Sequence, residues 1–423
     1  MLIDFSVRNY RSIKDTLTFS MLKSSSSELM ESNTFKVEKP SIELLRSTVI
    51  YGANASGKSN VIKAIRTLKS LVISSANDRN SGEELDVKPF KYDDICAQNP
   101  TEFEITFIFD GIKYQYGTVV SRNRIEDEWL IAYPKGRPQR WFTRIYDESS
   151  GETLYKFSES FHGPKSTYQE TTRENSLFLS NVVQLNNKQL LPVYNWFKEK
   201  LHFGGIFGYS NVFSAKLCTD KKTKKELLNF LNAADMSIDD INVKAVTFNV
   251  DDLPVDVPEE VRSHLANELK EHVDYEVNII RNDHNGNPVS LEIDEESDGT
   301  QKLFGLIGPV IDTLNSGLIL VIDELHSNLH PKMVEYLVSL FNSKDINKYN
   351  AQLIFTTHET SILSQDIFRR DQIWFTEKVN LETSLYSLLD FSPRKGTENI
   401  ELGYLSGRYG ALPFIDKLIK WVN

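Results

Sequence analysis

Gly52-Ala53-Asn54-Ala55-Ser56-Gly57-Lys58-Ser59 is the stretch that decides the fold. It has the form G-x-x-x-x-G-K-S. Residues 47–51 before it read as a buried strand, and the residues after it carry apolar side chains at 61, 62, 65 and 68, the spacing of a helix. A strand, a glycine loop and a helix in that order form a phosphate cradle. The glycines let the backbone curl so that several N–H groups converge on an anion, and the helix start adds its positive end. Gly52, Asn54, Ala55, Ser56, Gly57, Lys58, Ser59 and Asn60 are therefore the candidate nucleotide-binding residues. Lys58 is expected to reach the β- and γ-phosphates of ATP, and the Ser59 hydroxyl to ligate Mg2+.

Far along the chain, Leu318-Ile319-Leu320-Val321-Ile322 runs straight into Asp323-Glu324. Five apolar residues ending in a carboxylate suit a parallel strand whose C-terminal edge faces a ligand. Asp323 is expected as a second Mg2+ ligand and Glu324 as the residue that orients the attacking water. A second buried strand, Ile354-Phe355-Thr356-Thr357, ends at His358, which is expected to contact the γ-phosphate. Lys58, Glu324 and His358 form the candidate catalytic set. Ser297-Asp298-Gly299-Thr300-Gln301-Lys302 precedes the amphipathic stretch 303–314. Its hydroxyl, glycine and helix start make Ser297 and Gly299 a second candidate anion-binding surface.

Composition bounds the rest. The chain has 423 residues, too many for one ordinary core, so two domains are expected. No apolar run reaches a membrane span, and the first residues lack a secretory pattern. Two cysteines, Cys96 and Cys218, do not make a disulfide framework, so a reducing cytoplasm is the expected compartment. The net charge of −11 argues against a protein that coats nucleic acid. A local DNA contact stays open, with Lys221-Lys222-Thr223-Lys224-Lys225 as its best carrier, although that run reads more simply as a solvated helix start. His326 and His330 are four apart, but no third metal ligand accompanies them.

The pattern along the chain predicts two strands in residues 1–20 and a hairpin in 101–120 turning at Asp110-Gly111. Residues 190–202, 221–234 and 258–272 read as helices, and strand patterns return from 276 around Asn285-Gly286. The expected organisation is an N-terminal lobe over 1–184, a mainly helical insertion over 185–275 and a C-terminal lobe over 276–423.

The order of the pieces resembles the heads of ABC-type ATPases: phosphate loop, serine-glycine helix start, Asp-Glu strand, then histidine after the next strand. Ser297–Gln301 resembles the signature segment of that class, with Glu296 and Asp298 departing from it. Ser327-Asn328-Leu329-His330-Pro331 resembles the loop that crosses its dimer interface. Gln98, Gln115 and Glu128 all remain open for its glutamine position.

More narrowly, several segments resemble the stand-alone ABC/AAA-type ATPases of bacterial anti-phage systems, of RloA/AbiL-like kind and related to the OLD group. These are Phe5-Ser6-Val7-Arg8-Asn9-Tyr10-Arg11-Ser12-Ile13, Tyr51-Gly52-Ala53-Asn54, Ser176-Leu177-Phe178-Leu179-Ser180 and Gly407-Arg408-Tyr409-Gly410-Ala411-Leu412-Pro413. The resemblance implies an α/β fold: a P-loop ATPase head with a mixed central sheet, flanking helices and an antiparallel β subdomain, plus the insertion. It implies a homodimer or higher homo-oligomer in which Lys58 of one subunit and Ser297 of the other share an ATP. It also implies control of a separate effector, a nuclease or toxin. Rival expectations are an SMC-like DNA-repair ATPase, which calls for a long coiled coil where only short helices are read, and a nucleotide-gated scaffold with negligible turnover.

Overall fold

The computed structural model describes residues 1–77, 80–204, 211–247, 273–394, 396 and 398–413. The chain divides into two compact units. One comprises Met1–Gly204, Leu314–His326 and Leu337–Asn423, and the other Gly205–Thr313 and Ser327–Tyr336.

The larger unit holds a six-stranded sheet, a seven-stranded sheet and the short antiparallel pair Thr34–Val37 with Ile42–Leu45. The six-stranded sheet has the order Leu201–Phe203, Ile319–Ile322, Gln352–Thr356, Ser47–Gly52, Ile373–Val379, Glu382–Ser387. Its first five strands are mutually parallel and the last pair is antiparallel. Ser47–Gly52, Ile319–Ile322 and Gln352–Thr356 are buried at every position, as a parallel sheet covered on both faces demands. The strand leading into the phosphate loop lies between two strands from the far end of the chain. Residues distant in sequence are thereby tied into one sheet, and their C-terminal ends are brought side by side.

The seven-stranded sheet is antiparallel and alternates buried and less buried positions, most clearly in Thr101–Phe109. The expected hairpin is present: Thr101–Phe109 pairs with Ile112–Val120, and Asp110 (φ 49°) and Gly111 (φ 74°) take the left-handed conformations of a tight two-residue turn. Leu2–Arg8 and Leu17–Ser20 form the two N-terminal strands. Helix Lys58–Ser74 buries Val61, Ile62, Ile65, Leu68 and Val72 in one core with Phe103, Ile105, Phe107 and Tyr116 from the inner face of this sheet. Trp196 stacks on Phe107 with ring centres 4.0 Å apart. Ser176-Leu177-Phe178-Leu179-Ser180 opens the helix Phe178–Gln184, whose first amides are satisfied from the sheet: Phe178 N–H and Leu179 N–H donate to the Glu128 carboxylate at 2.6 and 2.9 Å. Mixed central sheet, flanking helices and antiparallel subdomain thus match the expected class.

The smaller unit corrects the expected insertion. Helices Asn211–Cys218 and Lys221–Ala233 are present, but Asp240–Thr247 is a strand, paired antiparallel with Val273–Asn282 and through it with Pro288–Glu292. Ile241, Val277 and Ile279 are buried on one face of that ladder with Val243 partly buried beside them, so this part of the mainly helical insertion is a sheet. Residues 190–202 are also not one helix: Leu191–Asn195 passes into a π-turn, Trp196–Lys200, and then into the edge strand Leu201–Phe203 of the central sheet. Residues 185–204 consequently belong to the larger unit, and residues 276–313 to the smaller one. The helix expected over 258–272 lies outside the described residues. Among the described residues, no helix is long and apolar enough to cross a membrane.

Candidate functional site

The phosphate loop closes where a chain without glycine could not. Gly57 has φ 110° and Ala55 φ 62°. A Cβ on Gly57 would lie 2.2 Å from Thr383 Oγ1, and one on Gly52 would lie 2.4 Å from Thr376 Oγ1. The helix that follows has no side-chain cap and no acidic residue in its first turn. Its first N–H groups are thus left to an anion. Ser59 is half-buried in that turn, and its hydroxyl has no protein partner among the described residues.

Lys58 is buried and donates to the carbonyls of Gly52 at 2.8 Å and Ala53 at 3.0 Å. Burial lowers its pKa to about 8, against the opposing pull of the Glu324 and Asp323 carboxylates. A buried ammonium whose two short hydrogen bonds go to neutral carbonyls is matched to a polyanion.

Asp323 and Glu324 follow the Ile319–Ile322 strand, and His358 follows Gln352–Thr356, its parallel neighbour. Thr356 ties the two strand ends together. Its hydroxyl donates to Asp323 Oδ1 at 2.6 Å and accepts the Glu324 N–H at 2.8 Å. Glu324 is left-handed at φ 55°, an uncommon conformation for a residue with a side chain. His358 Nε2 stands 3.9 Å from Glu324 Oε1, and His358 Nδ1 stands 3.5 Å from Lys58 Nζ. Burial, then Lys58 and His326, lower the pKa of His358, so the ring is neutral at physiological pH. The His358 backbone N–H points at His326 Nδ1, 3.4 Å away. Lys58, Asp323, Glu324 and His358 therefore converge on one place.

Other expected residues are placed differently. Ser56 is buried, with its hydroxyl on Thr376 Oγ1 at 2.7 Å and its N–H donating to the Ala53 carbonyl at 3.2 Å. Asn60 Nδ2 donates to Ser12 Oγ at 2.7 Å. Asn54 and Ala55 are exposed at the loop tip. Ser297 and Gly299 sit in the smaller unit at the start of helix Asp298–Ser316. Ser297 Oγ accepts the Thr300 N–H at 3.2 Å, and a Cβ on Gly299 would lie 3.3 Å from the Asn328 carbonyl. Lys302 donates to the Ser327 carbonyl, so the serine-glycine helix start rests on residues 327–328. His330 Nδ1 accepts the Lys332 N–H at 3.2 Å, and no cluster of three metal-ligating side chains occurs among the described residues. Of the three glutamine-position candidates, Glu128 is committed to the buried start of helix Phe178–Gln184, and Gln115 accepts from Tyr133 at 3.4 Å.

Sequence reasoning missed Ser12, Thr356, Thr376, Thr383 and His326. Thr356 is a polar residue inside a fully buried strand, and that polarity is the signal it carries. Thr376 and Thr383 belong to a hairpin that no short motif connects to the phosphate loop.

Two features of the site fit ATP and Mg2+: the uncapped helix start beside a buried ammonium for the phosphates, and the Ser59 hydroxyl and Asp323 carboxylate as oxygen ligands for a hard cation.

Among solved structures, the SMC head domain from Thermotoga maritima matches with 13% identity and a TM-score of 0.41, over 91% of this chain and 98% of that one. The recombination mediator RecF bound to ATP matches with 16% identity and a TM-score of 0.34, over 92% and 99%. No curated protein matches the chain in sequence. Residues 47–364 match the family described as "AAA domain, putative AbiEii toxin, Type IV TA system", a span that runs from the phosphate loop past His358, and the chain belongs to that family.

Proposed function

We propose that the protein is a Mg2+-dependent ATPase that works as a nucleotide-gated switch between subunits. The observation that carries this reading is the convergence of Lys58, Asp323, Glu324 and His358 at the ends of adjacent parallel strands. Lys58 binds the β- and γ-phosphate oxygens, exchanging two neutral carbonyls for anionic partners. Ser59 and Asp323 would hold Mg2+, which would supply charge neutralisation to the phosphates. Glu324, 52% exposed at its side chain, orients the attacking water. His358, neutral and beside Lys58, donates a hydrogen bond to the γ-phosphate.

Ser297 and Gly299 complete the site from a second copy of the chain. A helix start with a hydroxyl just before it and no Cβ at its second residue suits close approach to a phosphate. ATP then joins two copies, and hydrolysis parts them. The family description favours a role in a toxin–antitoxin or anti-phage system of the cytoplasm, with the switch acting on a separate toxic effector.

Sedimentation tests the switch. Glu324→Gln with ATP and Mg2+ should sediment as a dimer or larger assembly, and Lys58→Ala under the same conditions should not. A Glu324→Gln protein whose mass is the same with and without ATP contradicts the shared site. Purification of tagged Glu324→Gln from its host then tests the effector: a stoichiometric protein partner supports the defence role, and nucleic acid alone contradicts it.

A further inference from the structure

The phosphate loop is held from behind by one hairpin. Strands Ile373–Val379 and Glu382–Ser387 present Thr376 and Thr383 on the same face, since Thr376 pairs with Leu385 and Lys378 with Thr383. Each threonine backs one glycine of the loop, Thr376 behind Gly52 and Thr383 behind Gly57. Both are buried.

Their hydroxyls form two chains whose directions are fixed by the donors available. Asn60 Nδ2 donates to Ser12 Oγ at 2.7 Å. Ser12 stands 2.8 Å from Thr383 Oγ1, which donates to the Ser56 carbonyl at 2.8 Å. Because Thr383 spends its one proton on Ser56, Ser12 is the donor between the two hydroxyls. The Thr383 N–H also donates to the Ser12 carbonyl at 2.7 Å. In the second chain, Thr376 Oγ1 donates to the Tyr51 carbonyl at 3.3 Å and so accepts from Ser56 Oγ at 2.7 Å. Both chains meet at Ser56, one through its carbonyl and one through its hydroxyl. A loop fixed at its middle residue from two sides keeps its amides converged before any anion arrives.

We infer that Thr376 and Thr383 are positioning residues that pre-form the phosphate loop, acting on nucleotide affinity through Ser56 without touching the nucleotide. This inference rests on the ATP-site reading above. Preorganisation of this kind strengthens binding of the ground state and the transition state alike, so it acts on KM and leaves kcat.

The test uses the full chain with Thr383→Val, Thr376→Val and Thr383→Ser. Valine keeps the shape and removes the hydroxyl, while serine keeps the hydroxyl. One lost hydrogen bond that leaves a buried carbonyl unpaired corresponds to about tenfold in affinity. The expected result is a Kd and KM for ATP·Mg2+ about tenfold higher in each valine variant, a kcat within about twofold of wild type, and near-complete recovery in Thr383→Ser. Hydrogen exchange in the nucleotide-free protein should quicken over residues 52–57 in Thr383→Val and stay unchanged in the seven-stranded sheet. The inference is overturned if Thr383→Val binds ATP as wild type does, if Thr383→Ser is as weak as Thr383→Val, or if loop exchange is unaltered. Failure of wild type itself to bind ATP would sink the nucleotide reading instead, and the exchange measurement distinguishes the two.

Discussion

Thr356 donates its hydroxyl to Asp323 Oδ1 at 2.6 Å, across two parallel strands. Thr356 Oγ1 also accepts the Glu324 N–H, so one buried hydroxyl fixes both acids of the Asp-Glu pair. Thr356→Val should leave ATP binding within about threefold of wild type. It should lower kcat by about ten- to a hundredfold, because the water-orienting carboxylate is no longer aimed. Single-turnover phosphate release checks this, and a kcat near wild type would show that the hydroxyl is only packing.

Glu324 pays for its place with a left-handed backbone at φ 55°. Strain of this kind costs about 1 kcal/mol or more in a residue with a side chain, and glycine relieves it. Glu324→Gly should melt at a higher temperature than Glu324→Gln in the nucleotide-free state, while both fail to hydrolyse ATP. Equal melting temperatures would remove the strain argument.

Glu128 is a buried acid with a structural duty. Burial raises its pKa, and Arg144 and the N–H groups of Leu179 and Phe178 oppose that. Tyr116 also donates to it at 3.0 Å, and Arg144 Nη1 lies 3.9 Å away. Glu128→Ala should destabilise the fold by about 3–5 kcal/mol, since it strands a buried guanidinium and two helix amides. ATP affinity of the protein that remains folded should not change. A loss of affinity without loss of stability would place Glu128 in the nucleotide site after all.

Lys58 predicts opposite pH trends for stability and binding. Its pKa falls from 10.5 to about 8 on folding. Between those values the unfolded chain holds the proton and the folded protein does not, so Lys58 contributes rising stability as pH goes from 8 to 10.5. Below 8 its buried charge is a standing cost. ATP needs the ammonium, so affinity should fall as pH rises above 8. Titration calorimetry and melting, each compared with Lys58→Ala, read the two trends. Parallel trends would contradict the assignment.

The site was legible wherever its chemistry is local in sequence. Gly52 to Ser59, Ile319 to Glu324 and Ile354 to His358 are each contiguous and are each tied to a buried strand, so fold class and four convergent residues followed. What escaped is held by long-range pairing. Thr376 and Thr383 reach Ser56 across more than three hundred residues of chain, which no periodicity reports. Asp240–Thr247 became a strand because Val273–Asn282 pairs with it, an influence from outside its own window. The resemblance at residues 176–180 was seen without its cause, which is the docking of a helix start on Glu128.

The most direct test of the account is phosphate release from ATP·Mg2+ by wild type and Glu324→Gln side by side, with ATP affinity measured on both. The account predicts steady release by wild type, and in Glu324→Gln undiminished affinity with release reduced at least about a hundredfold. Release by Glu324→Gln at the wild-type rate, or none by wild type that binds ATP, would contradict it.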